Sequence, residues 1–307
     1  MKSSLYRFYI EPCAGHRAVH GSMMNWHREG TVYLIGGMIE LLIKIGDFDC
    51  TECWDGVFYK KLSNYPDITE WEIQTIYDFA DYEAKHGRTC EIEAEETILS
   101  QIREHREAHN KKRILVPAKI TECVACPKYK GCMTDFVCHT SPIENAIQIF
   151  DCGSLLSAVR ARGKSAKELK SEERNAANDP EDYFNYIMFA WGNCQAGDRL
   201  VMERKLGRFP NEEDLSTDFT PGVRFFFQYN DIIHHPDAVF DGVLPLKIEN
   251  EVILKDWVYA IIVPTIYENV IAEHIPVDYK EKVYFVENDC RDIWDWSEKV
   301  YEFVKKI

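Results

Sequence analysis

The sequence predicts an α+β fold, and two kinds of local pattern support this prediction. Short runs rich in aromatic and β-branched residues are typical of strands: "YFNYIMFAWG", "VRFFFQYN", "VYAIIVP" and "KVYFVEN". Other stretches place apolar residues at helical spacing, among them "PIENAIQIFDCG" and the last stretch of the chain, "DIWDWSEKVYEFVKKI". Both patterns are concentrated after residue 138, so we expect the α+β domain to occupy residues 139–307.

The first part of the chain predicts a mixed α/β region over residues 1–120. The apolar run "TVYLIGGMIELLIKIG" fits either a strand or a buried helix. "DITEWEIQTIYDFADYEAKHG" predicts a helix that is capped by Asp67 and stopped by Gly87. "AEETILSQIREHREAHNKK" predicts a second, highly charged helix. Between this region and the α+β domain lies a cysteine-rich segment, residues 121–138.

Length, composition and charge restrict the class of protein. A chain of 307 residues with 46% hydrophobic residues can bury one large core or two smaller ones. Its net charge of −15 argues weakly against nonspecific binding of duplex DNA, although a local basic strip would be enough for an enzyme that contacts a few nucleotides. We find neither an apolar run of about 18 residues nor a signal-peptide core, so we expect a cytoplasmic protein without membrane contacts.

Four of the eleven cysteines lie within sixteen residues and predict a metal site. A C-x2-C pair lets two thiolates face one ion from a tight turn, and two further thiolates complete a tetrahedral site. Zn2+ and a [4Fe-4S] cluster both remain open, since Pro127 after a cysteine is also typical of iron–sulfur loops. The other C-x2-C pair, Cys50 and Cys53, fits either a second site completed by Cys13 and Cys90 or, as the preferred interpretation, buried free thiols. The expected ligands are Cys123, Cys126, Cys132 and Cys138.

Three hydrogen-bonding side chains precede the helix "AIQIFDCG": His139, Ser141 and Asn145. His139 and Ser141 are one strand step apart and therefore share a face. Two interpretations follow from the residues alone. Ser141 and Asn145 cap the helix, or the three side chains hold a ribose or an amide, with an anionic group at the helix N-terminus.

This stretch resembles the first motif of the DarT family, the DNA ADP-ribosyltransferase toxins. That motif is a His, any residue, a Thr, three residues, an Asn, and then an apolar helix that ends in Gly. Here it reads His139, Ser141, Asn145 and Gly153, followed by "SLLS", with Ser141 in place of the usual Thr. The similarity covers roughly residues 138 to 290. It implies an ADP-ribosyltransferase-like split β-sheet core with helices.

The resemblance also implies NAD as a substrate and a set of residues that bind it. His139 would hydrogen-bond a ribose hydroxyl, and Ser141 and Asn145 would hold nearby polar groups. Tyr186 or Phe189 would stack on the nicotinamide.

For catalysis, the family uses a Glu at the start of a late strand. Glu251 begins the strand-like run "EVIL" and is the first choice, Glu249 is the second and Glu268 the third. The carboxylate would bind the ribose 2′-hydroxyl or deprotonate the acceptor. The family also places an Arg before an aromatic strand, and Arg174 would here neutralise the pyrophosphate or assist the acceptor.

The family further implies single-stranded DNA as the acceptor, while RNA and protein stay open. Residues 160–170, "RARGKSAKELK", hold five basic residues and one acidic residue and would suit a single strand. A toxin or phage-defence effector with an antitoxin protein as partner fits this function. The alternative is a non-catalytic, metal-stabilised module that binds nucleic acid or serves as an accessory.

Overall fold

The computed structural model describes residues 5–9, 34–35, 38–48, 52–54, 57–109, 134–172, 181–216 and 219–307. The chain divides into two compact units. The first unit contains the described residues up to 109 together with residues 240–244, and the second contains the other described residues from 134 onward. Both combine helices with a multi-stranded sheet, which confirms the predicted α+β class.

The first unit is built on a six-stranded mixed sheet with the order β1-β6-β3-β5-β4, and β2 pairs with β3. In the apolar run that fitted either a strand or a helix, the described residues 34–35 and 38–46 form strands, and residues 39–46 pair in parallel with two neighbouring strands. The strands are β1 (Leu5–Tyr9), β2 (Leu34–Ile35), β3 (Met38–Gly46), β4 (Glu52–Trp54), β5 (Val57–Lys61) and β6 (Arg88–Glu95).

Two helices, α1 (Glu70–Lys85) and α2 (Glu96–Ala108), belong to this unit, as predicted. The expected cap Asp67 is wrong: Thr69 caps α1 and forms a capping box with Glu72. The reason is local, since the Thr69 hydroxyl and the Glu72 carboxylate satisfy each other's backbone N–H groups. Ile43, Phe58 and Ile92 of the sheet belong to the same core as Ile76 and Ile98 of the two helices.

The second unit contains a seven-stranded sheet with the order β11-β12-β9-β7-β10-β14-β15 and a separate two-stranded sheet, β13-β8. All four strand-like runs of the sequence form strands of the larger sheet. The strands are β7 (Phe136–Ser141), β8 (Ser154–Leu156), β9 (Tyr186–Trp191), β10 (Val223–Gln228), β11 (Ala238–Val239), β12 (Leu246–Glu249), β13 (Glu251–Ile253), β14 (Ala260–Pro264) and β15 (Val283–Val286).

Helices and short 3-10 turns connect these strands. The predicted helix before Gly153 and the predicted last helix are both present. The helices are α3 (Ile143–Cys152), α4 (Ala158–Arg162), α5 (Ala166–Ser171), α6 (Ala196–Leu206), α7 (Tyr229–Ile232), α8 (Leu254–Trp257), α9 (Glu268–Ile271) and α10 (Ile293–Val304). The 3-10 turns span Glu181–Asn185, Thr265–Tyr267, Ala272–His274 and Val277–Lys282.

The larger sheet has two faces, which determine where each candidate residue lies. In β10, Phe225 is opposite His139 and Arg224 is opposite Thr140. Because side chains alternate along a strand and paired residues share a face, His139 lies on one face and Arg224 on the other. We call these the His139 face, with Ser141, Phe189 and Phe225, and the Arg224 face, with Cys138, Thr140 and Lys247.

The last helix contributes to the core on the Arg224 face. Trp296 and Val300 of α10 are fully buried and belong to one cluster with Cys138, Phe226 and Ile262. Within the described part of the chain, no helix combines the length and the apolar character that crossing a bilayer requires.

Candidate functional site

The candidate site is the corner at which β7 leads into α3. The strand ends at Ser141, Pro142 is the N-cap residue, and the helix ends at Gly153, whose φ of 72° is left-handed and suits glycine. Among the described residues, no side-chain hydrogen bond caps the first turn of this helix. The interpretation of Ser141 and Asn145 as capping residues is therefore wrong.

His139 is the most constrained side chain of this corner. Its Nδ1 lies 3.1 Å from the carbonyl oxygen of Met188, and a carbonyl can only accept, so Nδ1 carries the hydrogen. In the neutral ring Nε2 is then the acceptor. Burial lowers the pKa of His139 below its usual value, the Met188 carbonyl acts in the opposite direction, and Arg204 lowers it further. The imidazole is thus neutral at pH 7, while part of the residue still reaches solvent.

The His139 face around this ring is mostly aromatic. Phe189 lies edge-on to His139 with ring centroids 6.3 Å apart, and Phe225 stands opposite His139 in the neighbouring strand. Ser141 shares this face and is only 3% exposed. Asn145 is half-buried in the first turn of α3. The structure therefore brings His139, Ser141 and Asn145 to one corner, as their spacing predicted.

The two residues expected to stack on nicotinamide are placed differently. Phe189 is 1% exposed and packs edge-on against Phe227, so its ring belongs to the core. Tyr186 lies on the Arg224 face, where the Lys247 ammonium stands 5.3 Å from its ring centroid and 3.2 Å from that of Tyr183. The side chain of Tyr186 therefore does not share the His139 face.

The three candidate carboxylates lie in three different elements of the second unit. Glu251 begins β13, as expected, but β13 pairs with β8 in the smaller sheet, and Glu251 forms a 2.8 Å ion pair with Arg160. Glu249 ends β12 opposite Tyr186, which places it on the Arg224 face. Glu268 is exposed at the first position of α9. Of the three, only Glu249 belongs to the larger sheet, and it does not share the His139 face.

The basic strip at residues 160–170 is partly neutralised by neighbouring carboxylates. Arg162 and Lys164 both pair with Glu172, at 3.1 and 2.6 Å, and Arg160 pairs with Glu251. These pairs are near the surface, and such pairs contribute little to stability and exchange readily. The strip thus presents less net positive charge than the sequence alone indicates.

The cysteine cluster can be placed only in part. Cys123, Cys126 and Cys132 lie outside the described residues, so the four-thiolate site stays a prediction. Cys138 lies in β7, where its thiol donates to the carbonyl of Trp191 at 3.7 Å. Burial raises the pKa of the Cys138 thiol to about 12. Arg174, Cys50 and the side chain of Cys53 are likewise outside the described part.

Sequence reasoning missed a buried polar network on the Arg224 face. Arg224 and Asp198 form an ion pair with no exposed surface, and the Arg224 Nε donates to Asp198 Oδ2 at 2.9 Å. The other carboxylate oxygen accepts from the Gly222 N–H at 2.7 Å, and Arg224 also donates to Ser297 Oγ at 2.5 Å. A charged residue inside the apolar run "VRFFFQ" was the available signal.

Tyr267 was also missed, and no sequence pattern indicates it. Burial, and after it the Glu144 and Asp198 carboxylates, raise the pKa of Tyr267 to about 12. Its hydroxyl therefore keeps its proton at neutral pH and lies within electrostatic reach of the first turn of α3. It is a hydrogen-bond donor near the corner.

The lowered pKa of His139 predicts a pH dependence of stability. In the unfolded chain His139 binds a proton near pH 6.5, whereas in the folded chain it does so only at lower pH. The neutral ring therefore favours the folded state fully above pH 6.5, and this contribution to the free energy of unfolding is lost as the pH falls. We expect the difference in unfolding free energy between wild type and His139→Gln to shrink from about pH 7.5 to about pH 5, by at most about 1.4 kcal/mol per pH unit. Urea unfolding at each pH measures it, and a difference that grows on acidification would contradict the assignment.

Family models, curated proteins and solved structures were each compared with the chain, and none of the three comparisons produced a match.

Proposed function

We propose that the second unit is an NAD-dependent ADP-ribosyltransferase domain that modifies a nucleic acid. The observation that carries the proposal is the corner between β7 and α3. His139 and Ser141 lie at the end of β7 and Asn145 in the first turn of α3, and His139 is neutral with its tautomer set by Met188. A neutral imidazole with a free lone pair on Nε2 is an acceptor suited to a sugar hydroxyl.

Each part of the corner suits one part of NAD. The Nε2 atom of His139 accepts a hydrogen bond from a ribose hydroxyl. The N-terminal turn of α3 has backbone N–H groups that no side chain of the described part of the chain caps, and these attract the pyrophosphate. Nicotinamide stacking on Tyr186 or Phe189 is not included, because the first ring lies on the other face and the second is buried.

The reaction breaks the bond between the nicotinamide nitrogen and the ribose carbon. The bonding electrons leave with nicotinamide, positive charge develops on the ribose, and a nucleophilic nitrogen or oxygen of the acceptor bonds to that carbon and loses a proton. Glu251 remains the first candidate for the carboxylate, because it begins a strand as the family pattern requires. Its ion pair with Arg160 is near the surface, so releasing it costs at most about 1 kcal/mol.

A second candidate function is a module that binds nucleic acid or NAD without transfer. The position of Glu249 on the Arg224 face and the pairing of Glu251 with Arg160 favour it. The two functions differ in one product: only the transferase leaves ADP-ribose covalently attached to an acceptor.

The test is incubation of the full chain with labelled NAD and, in separate reactions, single-stranded DNA, duplex DNA, RNA and protein. We expect label on single-stranded DNA, a mass increase of one ADP-ribose on a base, and release of nicotinamide. In Glu251→Gln we expect a transfer rate that is lower by about 100-fold or more, with NAD affinity unchanged.

The matched control is Glu249→Gln, which removes a neighbouring carboxylate on the other sheet. NAD binding by calorimetry without label on any acceptor would favour the non-catalytic module. Absence of both NAD binding and transfer would reject the proposal. Transfer that is unaffected in Glu251→Gln would move the carboxylate to another residue.

A further inference from the structure

Two histidines and a glutamate of the first unit converge at one place. His105 and His109 are four residues apart at the end of α2, so they lie on the same side of the helix. Their rings are 4.4 Å apart between centroids. Glu70, the first residue of α1, brings its carboxylate to the same point.

The distances between these groups fit three ligands of one ion. Glu70 Oε1 lies 3.4 Å from His105 Nε2 and 4.0 Å from His109 Nε2. One ring nitrogen of each histidine and a carboxylate oxygen all lie within 4.8 Å of one another. Two ligand atoms of a tetrahedral zinc site are about 3.4 Å apart, as bonds of about 2.0–2.2 Å require. Small adjustments of the three side chains would complete this geometry.

The hydrogen bonding of the rings also suits metal binding. His109 Nδ1 lies 2.9 Å from the carbonyl oxygen of His105, so it carries the hydrogen, and the lone pair of the neutral ring is on Nε2. A backbone carbonyl on the other ring nitrogen is the usual second partner of a metal-binding histidine. His105 Nε2 is buried and, among the described residues, meets no group in hydrogen-bond geometry.

We infer that Glu70, His105 and His109 form a zinc site that links the start of α1 to the end of α2. Two imidazole nitrogens and one carboxylate oxygen suit Zn2+, whereas Ca2+ and Mg2+ prefer sites made of oxygen ligands alone. A water molecule completes the tetrahedron. Its three ligands are not among the four cysteines predicted to bind a metal, and the inference does not depend on the transferase function.

Without a metal, the same groups would form only an ion pair between Glu70 and a protonated His105. The two cases respond differently to added metal. Zinc would bind to the wild-type protein and raise its thermal unfolding temperature, and substitution of any one ligand would abolish this rise. An ion pair alone gives no rise on addition of zinc.

The experiment is a titration of the chelator-treated full chain with Co2+, followed by visible and near-ultraviolet absorbance, and then with Zn2+ in competition. The variants are His109→Gln and Glu70→Gln. The controls are His86→Gln, whose ring lies against Tyr82 in the same unit, and Glu96→Gln, which changes the first-turn glutamate of α2. Far-ultraviolet circular dichroism verifies the fold of each variant.

We expect a bound cobalt component with the comparatively intense visible d–d bands of four-coordinate Co2+ and no thiolate charge-transfer band. Its affinity should fall by more than about 100-fold in both ligand variants, beyond the usual cost of losing an outer-shell partner. It should persist in both controls. Equal cobalt binding in wild type and folded His109→Gln and Glu70→Gln would overturn the inference. So would a lost component that carries the thiolate band, since that would place the metal on cysteines.

Discussion

Asp198→Asn should lower the free energy of unfolding of the second unit by about 3–5 kcal/mol. The substitution removes the carboxylate and leaves the Arg224 guanidinium with no exposed surface and without its counter-charge. It also weakens the acceptor of the Gly222 N–H. A buried charge without a partner bears the full cost of leaving water, which makes this one of the largest single-site effects expected in the unit. Urea-induced unfolding followed by tryptophan fluorescence measures it.

A double variant separates the ion pair from a simple packing effect. Asp198→Leu with Arg224→Met replaces both charges by apolar side chains, and such replacements are often nearly neutral. We expect the double variant to be more stable than Asp198→Asn. If Asp198→Asn costs less than about 1 kcal/mol, as an exposed pair would, the burial of this pair is contradicted.

His139→Ala should lower the rate of ADP-ribose transfer by at least about 100-fold, because a small error in the position of the ribose carbon removes this much rate. This prediction rests on the proposed function. His139 is held at one end by Met188, so its Nε2 has a defined position from which to orient the sugar. We expect NAD affinity to fall as well. Transfer of label to single-stranded DNA and calorimetric titration with NAD measure the two effects.

His235→Ala is the matched control. His235 belongs to the same unit, its ring lies 5.1 Å from the Trp257 ring, and burial lowers its pKa as it does for His139. We expect this variant to keep normal transfer. A folded His139→Ala protein with wild-type turnover would show that the corner between β7 and α3 does not contribute to catalysis.

Much of the local structure could be predicted because local patterns determine it. The runs around Phe189 and Phe226 are strands because aromatic and β-branched side chains suit a pleated surface. The helix before Gly153 follows from apolar spacing and a glycine that accepts a left-handed conformation. The wrong cap at Asp67 was an error of two residues, since Thr69 and Glu72 form a reciprocal pair that Asp67 does not have.

The candidate site was predicted only where its residues are close in sequence. His139 and Ser141 share a face because strands alternate with a period of two, and this held. Tyr186 and Glu249 were expected beside them. The register of β9 on β7 places Tyr186 on the other face, and the register of β12 on β9 places Glu249 there as well. A shift of one residue in that register would have reversed the result, and no local pattern determines it.

The sequence by itself determined the α+β class, most of the strands and helices and the corner that carries His139, since each depends on side-chain type and spacing within about ten residues. Only the tertiary structure decided the pairing of Arg224 with Asp198, the face of each candidate carboxylate, and the meeting of Glu70 with His105 and His109. These contacts join residues distant in the chain. Strand register and helix packing bring them together, and both result from the burial of the whole core rather than from any short segment.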